Sequence, residues 1–247
     1  MTTVPSTTDD VLHATRWGMG DAIMGWLFAY VSAAILGALI LAAFGYTGDE
    51  TTMANLPLSM IALQYPPLWL GFVGVPVWAA ATKGNGWVRD FRVRIRASDV
   101  PLGLVVGSLA QLVVVPLVSW PVLQLTGTDA DDLGKLAREL GDKADSTIGV
   151  ILLFVIVAIG APIAEELFFR GLVLGSLEKR FGTGWAVVGS SVFFGATHFQ
   201  ALQFAALTAA GAIFALLVVR TGRLGPAIVA HMAFNAVTVI HVVWGNP

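Results

Sequence analysis

Most of this sequence falls into runs of about twenty apolar residues, and no other property limits its fold as strongly. The runs lie near 22–46, 58–82, 100–125, 148–164, 185–201, 204–219 and 225–244. At 1.5 Å per residue, a helix of about twenty residues crosses the roughly 30 Å hydrocarbon core of a bilayer. Charge is scarce to match: Asp, Glu, Lys and Arg make up 12% of the chain, against roughly 25% in soluble domains. That is too little to coat a water-exposed surface. The expected fold is all-α, a polytopic transmembrane helix bundle of about seven spans. Residues 1–21 read as an N-terminal cytoplasmic tail and 22–247 as a single transmembrane domain. The tail is polar, and the apolar run behind it is too long for the core of a cleavable signal peptide.

Zero cysteines exclude disulfides, thiolate metal sites and a cysteine nucleophile. Fourteen basic residues against sixteen acidic ones leave no electrostatic footprint for nucleic acid, so none is expected as a partner. The bilayer itself is the expected surroundings. Charge asymmetry between the loops sets the orientation. With the N-terminus in the cytoplasm, eleven of the fourteen Lys and Arg residues fall inside, in Arg16, the stretch 83–96, Arg170, Lys179, Arg180, Arg220 and Arg223. Only Lys135, Arg138 and Lys143 fall outside, in the acidic loop 127–147. That loop is expected to carry a surface helix near 131–140, because Leu133, Leu136, Ala137 and Leu140 share one helical face. Trp69, Trp78, Trp120, Trp185 and Trp244 lie in or near the ends of the runs, as interfacial aromatics do. This topology suits a multi-pass protein of a bacterial plasma membrane.

Against this background two adjacent carboxylates stand out. Glu165 and Glu166 close the fourth apolar run, where an ionised side chain costs roughly 2.5–3.5 kcal/mol at a helix centre. On a helix the two point about 100° apart, so they cannot serve one partner. Glu166 and Arg170 are four residues apart and can pair along one face. That leaves Glu165 as the free carboxylate, since Leu167, Phe168 and Phe169 carry the apolar sequence beyond it. Polar side chains of similar cost are His198, at the end of the fifth run, and His231 and Asn235, which share a face of the seventh. His198 is the least comfortable: counted from Trp185 it lies about 20 Å along its helix, too deep for the others. His241 is expected at an interface and His13 in the tail.

A carboxylate, two imidazoles and an amide inside one bundle suffice for hydrolysis. Glu165 can act as general base toward a water that His198 helps to hold. His231 and Asn235 can donate to the oxyanion of a tetrahedral intermediate, a role worth about 2.7–4 kcal/mol per donor. The same groups, Glu165, His198 and His231, could instead hold a divalent metal such as Zn2+, and spacing does not choose between these chemistries. Other intramembrane sites fit less well. No His-Glu-x-x-His helix is present, and the residue three beyond Glu165 is Phe168 where a di-iron motif has histidine. Ser190 and Ser191 lack a nucleophile context and read as small packing residues. Gly18-Met-Gly-Asp21 is similar to an aspartyl-protease motif, but no Tyr-Asp partner exists, and Asp21 reads as a charge at a helix N-terminus.

The order of the polar groups resembles one known family, the CAAX prenyl protease and bacteriocin-processing (Abi) group of intramembrane proteases. Its pattern of Glu-Glu-x-x-x-Arg, Phe-x-x-x-His and His-x-x-x-Asn on successive helices is matched by Glu165-Glu166-Leu-Phe-Phe-Arg170, Phe194-Gly-Ala-Thr-His198 and His231-Met-Ala-Phe-Asn235. The resemblance covers about the last hundred residues and places a protease-like core at 146–244. It implies an endopeptidase acting on membrane protein or peptide substrates, with a cavity open to the cytosol. It further implies that Glu165 activates water with His198, that Glu166 and Arg170 support the site, and that His231 and Asn235 form the oxyanion hole. The family has been described both as a metalloprotease and as glutamate-dependent without an essential metal. The rival readings are a non-enzymatic bacteriocin-immunity or interaction protein, and a proton-coupled transporter using Glu165 and the histidines as a relay.

Overall fold

The computed structural model describes residues 15–245, and of Ala130 and Asp131 only the backbone. Most of the expected tail, with His13, lies outside the described residues. Among the described residues there are helices and no strands. Six helices are long and apolar enough to cross a membrane. We label them α1 (Met19–Ala43), α2 (Leu58–Lys83), α3 (Asp99–Thr126), α5 (Thr147–Ala196), α6 (Phe204–Thr221) and α7 (Gly225–Trp244). Between α3 and α5 lies the amphipathic α4 (Ala130–Asp142). The expected fourth and fifth spans are the two arms of α5, broken at Gly182, where φ is 76°. Helix α5 runs on past the glutamates, so they lie within it and do not mark its exit into water. Its second arm stops at Ala196, five residues short of the expected 201, and His198 sits in the turn beyond. There it lines the same cavity as Glu165.

Why these residues pack as they do follows from the solvent. In lipid there is no gain in hiding large apolar side chains, so helices approach through small residues and turn the bulky ones outward. Helix α1 buries Ala22, Gly25, Ala29 and Ser32, while Ile23, Met24, Leu27, Phe28, Val31 and Ile35 are exposed. Helix α3 repeats the pattern with buried Gly103, Gly107 and Ala110. A Cβ at Gly103 would lie 2.8 Å from the Ala230 amide nitrogen, so Gly103 and Gly107 let α3 lie directly on the backbone of α7. Three helices also widen by one residue per turn, over Leu70–Gly74, Ala110–Val114 and Phe154–Gly160, each two residues ahead of a proline (Pro76, Pro116 and Pro162). Proline has no N–H and its ring crowds the carbonyl four residues back, so the preceding turn opens. A fourth wide turn, Leu167–Val173, follows the glutamates without a proline.

The basic residues gather at one end of the bundle. Lys83 pairs with Asp21 at 2.5 Å, Arg92 with Glu178 at 2.9 Å, and Arg223 with Asp99 at 2.5 Å. The Asp99 carboxylate holds the Arg223 guanidinium above its usual pKa. Asp21 also accepts from the Gly18 amide at 3.0 Å, so it does cap α1. Trp17 is buried there beneath Lys179 and donates to Asp90 at 2.9 Å. It and Phe91 rest on Gly171 and Gly175, where a Cβ would meet Phe91 at 3.0 Å and Trp17 at 2.9 Å. At the opposite end Lys143 donates to the carbonyls of Ala54 and Leu56 at 2.8 and 2.9 Å. Gln203 there reaches the Leu133 carbonyl of α4 at 2.5 Å. Trp78, Trp120, Trp185 and Trp244 are exposed, whereas Trp69 packs inward against Gly160.

Candidate active site

Glu166 is the fixed point of the site. Its side chain is 0% exposed, and one oxygen, Oε1, accepts from Arg170 Nη1 at 2.8 Å and from His231 Nδ1 at 2.9 Å. Arg170 is itself held from three sides. It donates to the Gly211 carbonyl at 3.1 Å, and its guanidinium lies over Phe194 at 4.3 Å and Phe214 at 5.3 Å. Phe214 also stacks on the His231 ring, with centroids 4.8 Å apart and 23° between planes. Buried this way, an ion pair contributes fixed geometry more surely than stability.

Hydrogen-bond partners decide the imidazole tautomers. A carboxylate bound to arginine accepts, so His231 Nδ1 carries a proton and Nε2 faces Glu165 Oε2 at 3.8 Å. His198 Nδ1 donates to the Phe194 carbonyl at 2.8 Å, because a carbonyl can only accept. A neutral His198 therefore presents a bare Nε2. Asn235 donates one amide hydrogen to the Val157 carbonyl at 2.8 Å. Five residues after Val157 stands Pro162, the position whose N–H would have closed the wide turn. The amide thus satisfies a carbonyl that proline orphans, and its second N–H remains available.

Glu165, His198, His231 and Asn235 line one cavity of about 390 Å³. Arg170 and Glu166 do not; they lie behind the wall and hold it. So the six polar residues expected from the sequence come together, but in two layers. The roof is α4, whose Leu133, Leu136, Ala137 and Leu140 face inward, and Gln200 and Gln203 add to it. The cavity thus lies beneath the segment that carries α4, whose apolar face finds cover there. Ser190 and Ser191 sit apart, buried, and both donate to the Val187 carbonyl, as packing residues do.

For zinc, the tautomers would suit, since each Nδ1 is bound and each Nε2 turned away. The donors do not converge: among the described residues no three of His, Asp or Glu come together closely enough to hold a metal ion. The residues present therefore do not fit a metal ion.

Residues 147–237, which carry all six polar groups, match the family model described as Type II CAAX prenyl endopeptidase Rce1-like. Over this segment the chain is similar to that family. A protein of Bacillus subtilis (strain 168) named "Putative membrane peptidase YdiL" is 36% identical over 108 residues, 44% of this chain and 44% of that protein. The match thus spans less than half of that relative's length. No solved structure matches. Six membrane-length helices, together with this similarity, mark an integral multi-pass membrane protein.

Some cavity residues were not read from the sequence. Tyr65, Gln111, Ser119 and Gln203 all line it. Gln111 carried a signal: it is an amide in an otherwise apolar run. Gly103 and Gly107, and Gly171 and Gly175, are small-xxx-small pairs, the spacing that marks close helix contact.

Proposed function

We propose that this chain is an intramembrane endopeptidase that hydrolyses peptide bonds of membrane-associated proteins or peptides. The observation that carries the proposal is one cavity lined by Glu165, by His198 with its Nδ1 bound and its Nε2 bare, and by Asn235 with one amide N–H to spare. Glu165 takes a proton from a water that His198 Nε2 holds. The hydroxide adds to the scissile carbonyl carbon, and the oxyanion accepts from the free N–H of Asn235. Glu165 then returns the proton to the amide nitrogen as the C–N bond breaks, leaving a carboxylic acid and an amine. His231 assists the oxyanion in its doubly protonated form, the form in which Nε2 donates. Glu166 and Arg170 position His231. General-base and oxyanion contributions of roughly 10²–10⁴ and 10²–10³ suit such a site.

The proposal keeps the N-terminus cytoplasmic, in a bacterial plasma membrane, and makes the metal dispensable. Its test uses purified protein in liposomes with a peptide library, beside Glu165→Ala. Wild-type cleavage that the variant loses supports it. Cleavage that survives in the variant removes Glu165 from the chemistry, and a wild type that cuts nothing favours the immunity or interaction reading.

A further inference from the structure

One wall of the cavity has no part in this chemistry. Gln111, Val115 and Ser119 stand four residues apart on α3 and all line the cavity. A wide turn holds more than 3.6 residues, so the one at Ala110–Val114 brings positions four apart more nearly into line. The rest of this helix faces lipid: Leu112, Val113, Leu117 and Trp120 are exposed. Ser119 is 2% exposed, and its Oγ has no hydrogen-bond partner among the described residues. A serine within a membrane helix ordinarily donates to the carbonyl four residues back. Ser119 does not, although the residue lines the cavity. A buried hydroxyl so placed is costly unless something arrives to satisfy it, and Gln111, half-buried, lines the same cavity two turns earlier.

A peptide entering such a cavity has the complementary need. To be cut it must be extended, and away from water its exposed N–H and C=O groups require partners. We propose that Gln111 and Ser119 form a rail that hydrogen-bonds the main chain of an extended peptide segment and holds its scissile carbonyl toward the Glu165 wall. Between them Val115, with Leu133 and Leu136 above, takes uncharged apolar side chains. The rail rests on the peptidase reading for its substrate but can be tested separately.

Cleavage kinetics and crosslinking, both in liposomes, provide the test. Ser119→Ala and Gln111→Leu should each raise KM about three- to ten-fold with kcat unchanged, as expected for one lost hydrogen bond that is made equally before and in the transition state. Ser119→Thr should restore KM, and thermal unfolding of all three variants should match wild type. In a Glu165→Gln background, p-benzoylphenylalanine placed at Val115 should crosslink an apolar peptide. Placed at Leu117, 68% exposed on the same helix, it should not. An unchanged KM, a fall in kcat alone, or equal labelling at both positions would overturn the rail. Labelling at Val115 together with a wild type that cuts no peptide would keep the rail and remove the peptidase reading.

Discussion

Replacing Arg170 with methionine is the sharpest test of how the site is held. The guanidinium is 1% exposed and its partner Glu166 0%, so the pair is beyond the reach of solvent screening. Methionine fills much of the space between Phe194 and Phe214 but leaves the Glu166 carboxylate without its cation and the Gly211 carbonyl without its donor. Breaking a buried pair from one side costs about 3–5 kcal/mol. At about 1.4 kcal/mol per tenfold, that is roughly 10² to 10³·⁵ in the folded-to-unfolded ratio. The double variant Glu166→Gln/Arg170→Met should recover most of it, because no charge is then stranded and the new amide oxygen still accepts from His231 Nδ1. Unfolding in mixed micelles titrated with a denaturing detergent, followed by the fluorescence of the eight tryptophans, would measure both. A single-variant loss below about 1 kcal/mol, or a double variant no better than the single, refutes the reasoning.

Glu165→Gln should lower kcat by about 10²–10⁴ while leaving thermal unfolding within a degree or two, since among the described residues its carboxylate has only the 3.8 Å contact with His231. An equal loss of folded protein would mean a structural role. Asn235→Ala should do both kinds of damage: activity down about 10²–10³, and stability down about 1–3 kcal/mol because the Val157 carbonyl loses its donor. Separating the two by kinetics and unfolding checks it, and a variant of full stability would refute the proline-carbonyl account. Gly107→Val should displace α7 and with it His231, since any Cβ at Gly107 overlaps the Ala230 carbonyl. Activity should fall even though residue 107 lies outside the cavity, and an unaltered rate would show that α3 does not set the position of α7. Chelation should leave peptide cleavage unchanged; loss that zinc restores would establish a metal mechanism.

Much of the site was legible because the bilayer makes polar residues conspicuous. Glu165, Glu166, His198, His231 and Asn235 could be picked out by cost alone, and the Glu166–Arg170 pair by helical spacing. What spacing could not supply was the second axis, between helices. That His231 bridges both carboxylates, and that Asn235 serves the Val157 carbonyl, depend on α5 and α7 running antiparallel in one register. The wall formed by Gln111 and Ser119 was missed for the same reason. A serine in an apolar run is unremarkable until its neighbours are known.

By itself the sequence determined that the chain is a helical membrane protein, which side chains are too polar to face lipid, and which of those share a helical face. These follow from composition and from the 3.6-residue period, both local properties. Tertiary structure alone decided which face meets which. It sorted six polar residues into a reacting layer and a buried support, carried α5 past the glutamates to Gly182, and laid α4 over the cavity. Helix approach in lipid is set by small residues and prolines that act on a neighbour tens of residues away, as Pro162 does through Val157 on Asn235.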